Sequence, residues 1–312
     1  MLDGGGSGGR MYEEPDGDPG DLEDQIADAD RRAEDRQLRS EVNSRLADLL
    51  RTLNDRDVEL ARGRLDDLAA ALQDVGALDR LLLGGSVAKH TYVDGLSDID
   101  SLVVLDRASL RGMSPDEVLR SFEQAIRAAA VGGPVQAITR GDLAVTVTYR
   151  DGMEIQLLPA IRVGSKLAIR GEGDRKWIAI DPGAFRQMLT HANSRVGGQL
   201  VPAIKLIKSM VAAFPHQKQM TGYHVEAMSI AAARDYTGTA SLRDIIPHIL
   251  ERGAALVMGR IRDVTGQSRS VDAYLGQPGS LRRQVVADGL ESAARQLRSA
   301  ATSEEWLSAI GV

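Results

Sequence analysis

Cysteine is absent from the 312 residues. That rules out disulfides and thiolate metal sites and agrees with a reducing, cytoplasmic setting. Long apolar runs are missing too: none approaches the roughly 20 residues needed to cross a bilayer, and no charged-then-apolar signal segment opens the chain. A soluble cytoplasmic protein without a membrane partner is expected. Basic excess is also lacking. The formal net charge of −6 argues against a protein that coats nucleic acid, although it leaves room for a locally basic cleft. The histidines (His90, His191, His216, His224 and His248) are scattered and show no HExxH-like spacing, so they read as ordinary surface or core residues. The glycine run at 4–9, GGGSGG, resembles a flexible linker; no Gly-Lys-Ser/Thr follows it, so it is not a P-loop.

Organisation along the chain predicts an α+β protein of two lobes. Residues 1–36 are rich in Gly, Asp and Glu with almost no large apolar side chains, which predicts a disordered tail. Residues 37–181 then form a strand-rich lobe. Leu46, Leu49, Leu50 and Leu53 fall at helical spacing, as do Leu65, Leu68 and Leu72, giving one long helix or two joined near Asn54–Asp57. Strands are expected over 81–83, 99–105, 144–149 and 153–158, with a helix over 115–130. Asp151-Gly152 marks a hairpin turn between the last two strands. From Pro182 to Val312 the pattern is helical, over 182–192, 200–213, 223–236, 242–258 and 281–299, punctuated by Gly238, Gly266, Gly276 and Pro278. A strand-rich lobe followed by a helical one implies a cleft between them, a common place for ligands.

The stretch LLLGGSVAKHTYVDGLSDIDSLVVL, residues 81–105, carries most of the chemistry. An apolar run ends at Gly84-Gly85-Ser86, where small residues allow the backbone close to a ligand and Ser86 can bond a terminal phosphate. Asp98 and Asp100 then open a second apolar run. In a strand both carboxylates would project from one face, with Cα atoms roughly 6.5–7 Å apart. Such a pair can bracket two Mg²⁺ ions, which sit roughly 3.5–4 Å apart when they clamp a phosphoryl displacement. Each element alone is weak, since GGS can be a plain turn and Asp commonly begins a strand. Eleven residues separate Ser86 from Asp98, and apolar strands flank both. The combination suggests nucleotidyl transfer.

Further motifs are EIQLLPA at 154–160, Trp177 with IDP, Asn193, IKLIK at 204–208, GYHVE at 222–226 and the late RDVTGQS. With GGSVAKHT and the SDID pair, they make the chain from about Leu46 onward resemble the cGAS/DncV-like nucleotidyltransferases, bacterial relatives of cyclic GMP-AMP synthase. The resemblance implies a polymerase-β-like lobe, a mixed sheet with a long spine helix, facing a helical lobe across a bilobal cleft. It implies that Gly85 and Ser86 hold a donor triphosphate and that Asp98 and Asp100 are the first two metal ligands. Lys208 matches a lysine that reaches the triphosphate, with Lys205 one turn away as a second candidate. Tyr223 falls where relatives place a residue against the donor nucleotide; a buried aromatic with one bonded hydroxyl is an equally good reading of it.

The sequence departs from the family at the third metal-binding aspartate, which stands three residues before the proline and is here Gln156. Glu154, two residues earlier on the same strand face, is expected to complete the site, with Gln156 shaping it. The implied chemistry is attack of a ribose hydroxyl on the α-phosphate of ATP, GTP or another nucleoside triphosphate, assisted by two ions, Mg²⁺ or Mn²⁺. A second attack closes a cyclic product that activates an antiphage effector. The alternatives are transfer to another acceptor, such as an RNA end, a small molecule or a protein, and a nucleotide-binding relative impaired by Gln156. The zinc-ribbon cysteines with which the animal sensor grips DNA are absent, so a nucleic-acid partner is not expected. The tail at 306–312, ending in Ile-Gly-Val, reads as a frayed end; conjugation there by a ubiquitin-like partner is the sharper alternative.

Overall fold

The computed structural model describes residues 19–53, 58–74, 78–83, 91, 99–105, 110, 112–129, 134–171, 176–265 and 270–311. Two helices, α1 (Pro19–Leu53) and α2 (Val58–Asp74), precede strands β1 (Leu78–Leu83) and β2 (Ile99–Leu105). Helix α3 (Pro115–Ala129) follows, then β3 (Val135–Arg140), β4 (Val145–Tyr149), β5 (Glu154–Val163), β6 (Lys166–Arg170) and β7 (Trp177–Ile180). The helical part comprises α4 (Pro182–Arg195), α5 (Leu200–Ala213), α6 (Gly222–Ala232), α7 (Leu242–Val257), α8 (Leu281–Ser299) and α9 (Ser303–Ile310).

The strands form one mixed sheet in the order β1-β2-β5-β4-β3, with β6 pairing β5 and β7 pairing β6. Only β2 and β5 run parallel; the other pairs are antiparallel. Strand alternation divides the sheet into two chemically distinct faces. Val103 and Leu105, Val145, Val147 and Tyr149, and Ile155 and Leu157 are buried on one face, beneath Leu65, Leu68 and Leu72 of α2 and Phe122 and Ile126 of α3. The other face bears Thr146, Thr148, Glu154 and Gln156, and beyond them a small apolar cluster of Leu102, Ala160, Ile169 and Ile180. A separate core fills the helical lobe, with Leu200, Ile204, Ile207, Ile249 and Trp306 at its centre.

Local chemistry explains several element ends. The expected turn at Asp151-Gly152 is present, with Gly152 at φ 86° and its N–H donating to Tyr149 O at 3.0 Å. The IDP motif is a helix start: Pro182 opens α4, and the Asp181 carboxylate accepts from the N–H groups of Gly183 and Ala184 at 3.0 and 3.1 Å. Asn193, in the last turn of α4, ties that helix to the next, its Oδ1 accepting from Val201 N at 3.0 Å.

Two expectations need correction. The tail predicted to be disordered is helical from Pro19 onward, because ion pairs at helical spacing, Arg31–Asp28 and Arg39–Asp35, support a helix that has little apolar surface there. Assigning residues 37–53 to the sheet lobe also fails: Val42 and Leu46 are buried in the helical core, so α1 belongs to that lobe. Among the described residues no single helix is long and apolar enough to cross a membrane; α4 and α5 together match such a span only as a pair bent by 107°.

Candidate active site

The parallel register of β2 on β5 pairs Asp100 with Gln156, and the antiparallel register of β4 pairs Gln156 with Thr146. One row across the sheet is therefore Asp100, Gln156, Thr146. Glu154 lies two residues back along β5, paired with Thr148, whose hydroxyl donates to Glu154 Oε1 at 3.1 Å. Glu154 and Gln156 are both half-buried on the sheet face not covered by α2 and α3. Gly85, Ser86 and Asp98 lie outside the described residues. Glu154 and Gln156 carry side-chain oxygens, the donor type that hard cations such as Mg²⁺ or Mn²⁺ prefer, and the backbone of Asp100 stands in register with Gln156. Among the described residues no three acidic or histidine side chains gather as a metal cage.

On the helical side, Lys208 is buried in α5, and its Nζ donates to Glu226 Oε1 at 2.7 Å and to Thr91 O at 3.0 Å. Lys205 is half-buried one turn earlier; burial, and then the neighbouring Lys208, lower its pKa below the ordinary lysine value. The Tyr223 ring stacks at a tilt on Phe185 with centroids 5.0 Å apart, and its hydroxyl donates to Asp263 Oδ1 at 2.7 Å. Burial, then Asp263, push this phenol well above its usual pKa. Asp263 also accepts from Thr265 N and Thr265 Oγ1 at 2.9 and 2.7 Å. Tyr223 is thus held as a packed aromatic with its hydroxyl bonded, and RDVTGQS supplies the partner.

No family model and no curated protein matches the chain by sequence. Solved structures do match it. The DncV cyclic AMP-GMP synthase of Vibrio cholerae superposes with a TM-score of 0.59 at 16% identity, over 93% of this chain and 90% of that one. The CD-NTase CdnG of Bradyrhizobium diazoefficiens, solved with GTP, gives 0.60 at 15% identity over 83% and 90%. CdnC of E. coli MS115-1, solved with ATP, gives 0.57 at 15% over 80% and 88%. The fold is that of the cGAS/DncV-like nucleotidyltransferases.

Within this nucleotidyltransferase fold the sheet row and the lysine helix belong to different lobes, and residues that the sequence reading left unassigned connect them. Glu226 and Thr91 are both buried, and the Thr91 hydroxyl donates to Glu226 Oε1 at 2.5 Å. The signal for Glu226 was present: a lone acid in the apolar run HVEAMSIAA cannot be buried without a partner. A cavity of about 500 Å³ lies elsewhere on the helical lobe, lined by Arg39, Tyr236, Arg243, His248 and Trp306 among others, and contains none of the candidate residues. Its charged walls are already neutralised, Arg39 by Asp35 and Asp244 and Arg243 by Asp35.

Proposed function

We propose that this chain is a nucleotidyltransferase of the cGAS/DncV-like family that joins ribonucleoside triphosphates into a cyclic oligonucleotide. The observation that carries the reading is the β2–β5 register, which sets Asp100 beside Gln156 with Glu154 on the same strand, on a fold shared with a cyclic AMP-GMP synthase. Asp98, Asp100 and Glu154 would hold two divalent cations, whose charge activates the attacking hydroxyl and stabilises the departing pyrophosphate. Gly85 and Ser86 would bind the triphosphate, orienting its α-phosphorus for in-line attack, with Lys205 and Lys208 on the facing lobe adding positive charge. Thr148 orients the Glu154 carboxylate through its hydroxyl. The ribose oxygen forms a bond to the α-phosphorus as the bond to the bridging oxygen breaks, releasing pyrophosphate and the hydroxyl proton to solvent. A second such step closes the ring, and the soluble product would reach a downstream antiphage effector.

One observation favours a second reading. Gln156, a neutral amide, occupies the register position opposite Asp100, so a nucleotide-binding relative without turnover is the alternative. Incubating the protein with the four ribonucleoside triphosphates and Mg²⁺ or Mn²⁺ decides between them. Synthesis predicts pyrophosphate and phosphatase-resistant products, abolished by Asp98→Asn with Asp100→Asn and reduced at least a hundredfold by Glu154→Gln, with thermal unfolding nearly unchanged. Triphosphate binding without turnover under either metal supports the second reading. Full rate in Glu154→Gln would remove Glu154 from the site. Pyrophosphate release only when an RNA, small-molecule or protein acceptor is added would show transfer to another acceptor.

A further inference from the structure

Ile180, the last residue of β7, packs in the small apolar cluster on the sheet, and Phe185, near the start of α4, packs in the core of the helices. At Asp181, between them, the chain passes from the sheet lobe to the helical lobe. That residue is held from two sides. Its carboxylate caps α4, and its backbone N–H donates to Thr265 O at 2.9 Å. Thr265 belongs to a strap, residues 261–265, whose base is fixed in the helical lobe. Ile261 is buried in the helical core, its N–H donates to Asp272 Oδ2 at 3.1 Å, and its carbonyl accepts from Val271 N at 3.0 Å.

Asp263 is 4% exposed, and a carboxylate so far from water is tolerated only when donors satisfy it. Its Oδ1 gathers three: Thr265 N at 2.9 Å and Thr265 Oγ1 at 2.7 Å from the strap, and Tyr223 Oη at 2.7 Å from α6. The Tyr223 ring lies on Phe185, with centroids 5.0 Å apart. The contacts close a circuit from Asp181 through Thr265, Asp263, Tyr223 and Phe185 back to the start of α4. We infer that Asp263 is a positioning residue. By folding the strap onto Tyr223 it holds Thr265 O against Asp181 N, and so sets the angle between the sheet lobe and the helical lobe. Its bearing on catalysis rests on the nucleotidyl-transfer reading, in which groups from both lobes meet one triphosphate. A displacement of about 1 Å in such a site costs up to about a hundredfold in rate.

The chain contains no cysteine, so a pair of cysteines introduced at two exposed positions takes spin labels specifically. Gln136 on β3 and Glu291 on α8 are such positions, one in each lobe, and the distance between labels reports the angle. The labelled parent is compared with the same protein carrying Asp263→Ala, Thr265→Val or Thr265→Ser. The clasp predicts one narrow distance distribution in the parent, and at least about twice that width in Asp263→Ala and Thr265→Val with helicity unchanged. Thr265→Ser, which keeps the hydroxyl, should restore the narrow distribution. A purely local role would lower the unfolding temperature and leave the distance as it was, so an unchanged distribution in both variants overturns the inference. If Asp263→Ala does not fold, Thr265→Val, which removes a single hydroxyl, decides alone. Product formation from the four ribonucleoside triphosphates with Mg²⁺ or Mn²⁺ should fall about tenfold in Thr265→Val and return in Thr265→Ser. Full rate in a variant whose distribution has broadened removes the bearing on catalysis. A parent that forms no product defeats the nucleotidyl-transfer reading, while the distance measurement still decides the clasp.

Discussion

His224 sits in the first turn of α6 with no exposed surface, and its Nδ1 lies 2.9 Å from the hydroxyl of Tyr274. Burial pulls its pKa down to about 4; the nearby Arg283 acts in the same direction and Asp272 opposes it. The unfolded imidazole titrates near 6.5, so between there and about 4 the unfolded chain binds a proton that the folded one refuses. The contribution is fully present above pH 6.5 and is lost as the pH falls toward 4, by up to about 3 kcal/mol. Urea unfolding at pH 7 and pH 4.5 should therefore show a drop in stability that shrinks by more than about 1 kcal/mol in His224→Gln; an unchanged drop would exclude His224 as its source. Arg283 and Asp272, joined at 2.8 Å and both without exposed surface, form the buried pair beside it. None of this was visible in the isolated histidines of the sequence, because desolvation depends on what surrounds a side chain. The site residues were legible to different degrees. Lys208 and Tyr223 could be named from IKLIK and GYHVE, whereas their partners Glu226 in GYHVE and Asp263 in RDVTGQS acquire roles only once burial is known.

Elements with a strong local signal agree with the sequence reading. Strand β2 and helices α5 and α8 begin and end where apolar periodicity and the glycine and proline punctuation place them. Strands β3, β6 and β7 did not stand out, since their residues are largely half-buried or exposed and blur the alternation on which a strand is recognised. Strand β5 runs on to Val163, past Pro159, which paired with Val103 violates the usual expectation that proline ends a ladder. Helix α4 offers the cleanest test at this scale. Its Asp181 cap holds two N–H groups at 3.0 and 3.1 Å, so Asp181→Ala should cost about 1–2 kcal/mol while Asp181→Asn costs a few tenths. Equal unfolding midpoints for the alanine variant and wild type would mean that the cap contributes nothing.

At the scale of the whole molecule, two hydrophobic cores stand apart, one beneath the sheet around Ile155 and Leu157 and one among the helices around Ile204 and Ile249. Separate cores predict separate cooperative units. Scanning calorimetry should resolve two transitions, with Leu157→Ala lowering one and Ile249→Ala the other, each by about 2–5 kcal/mol of local stability. A single transition that both variants shift equally would show the lobes unfolding as one. Sequence alone determined the alternating strands, the amphipathic helices, the hairpin at Gly152 and the run of motifs pointing to nucleotidyl transfer, because each depends on residues within a few positions of one another. Only the tertiary structure decided that α1 packs with the helices, that Gln156 stands opposite Asp100, and that Lys208 and Glu226 close on Thr91. Those last contacts join residues 117 and 135 positions apart; burial strips water from the charges at a cost that only their mutual attraction and hydrogen bonds offset, and which groups packing brings together is encoded in no local pattern.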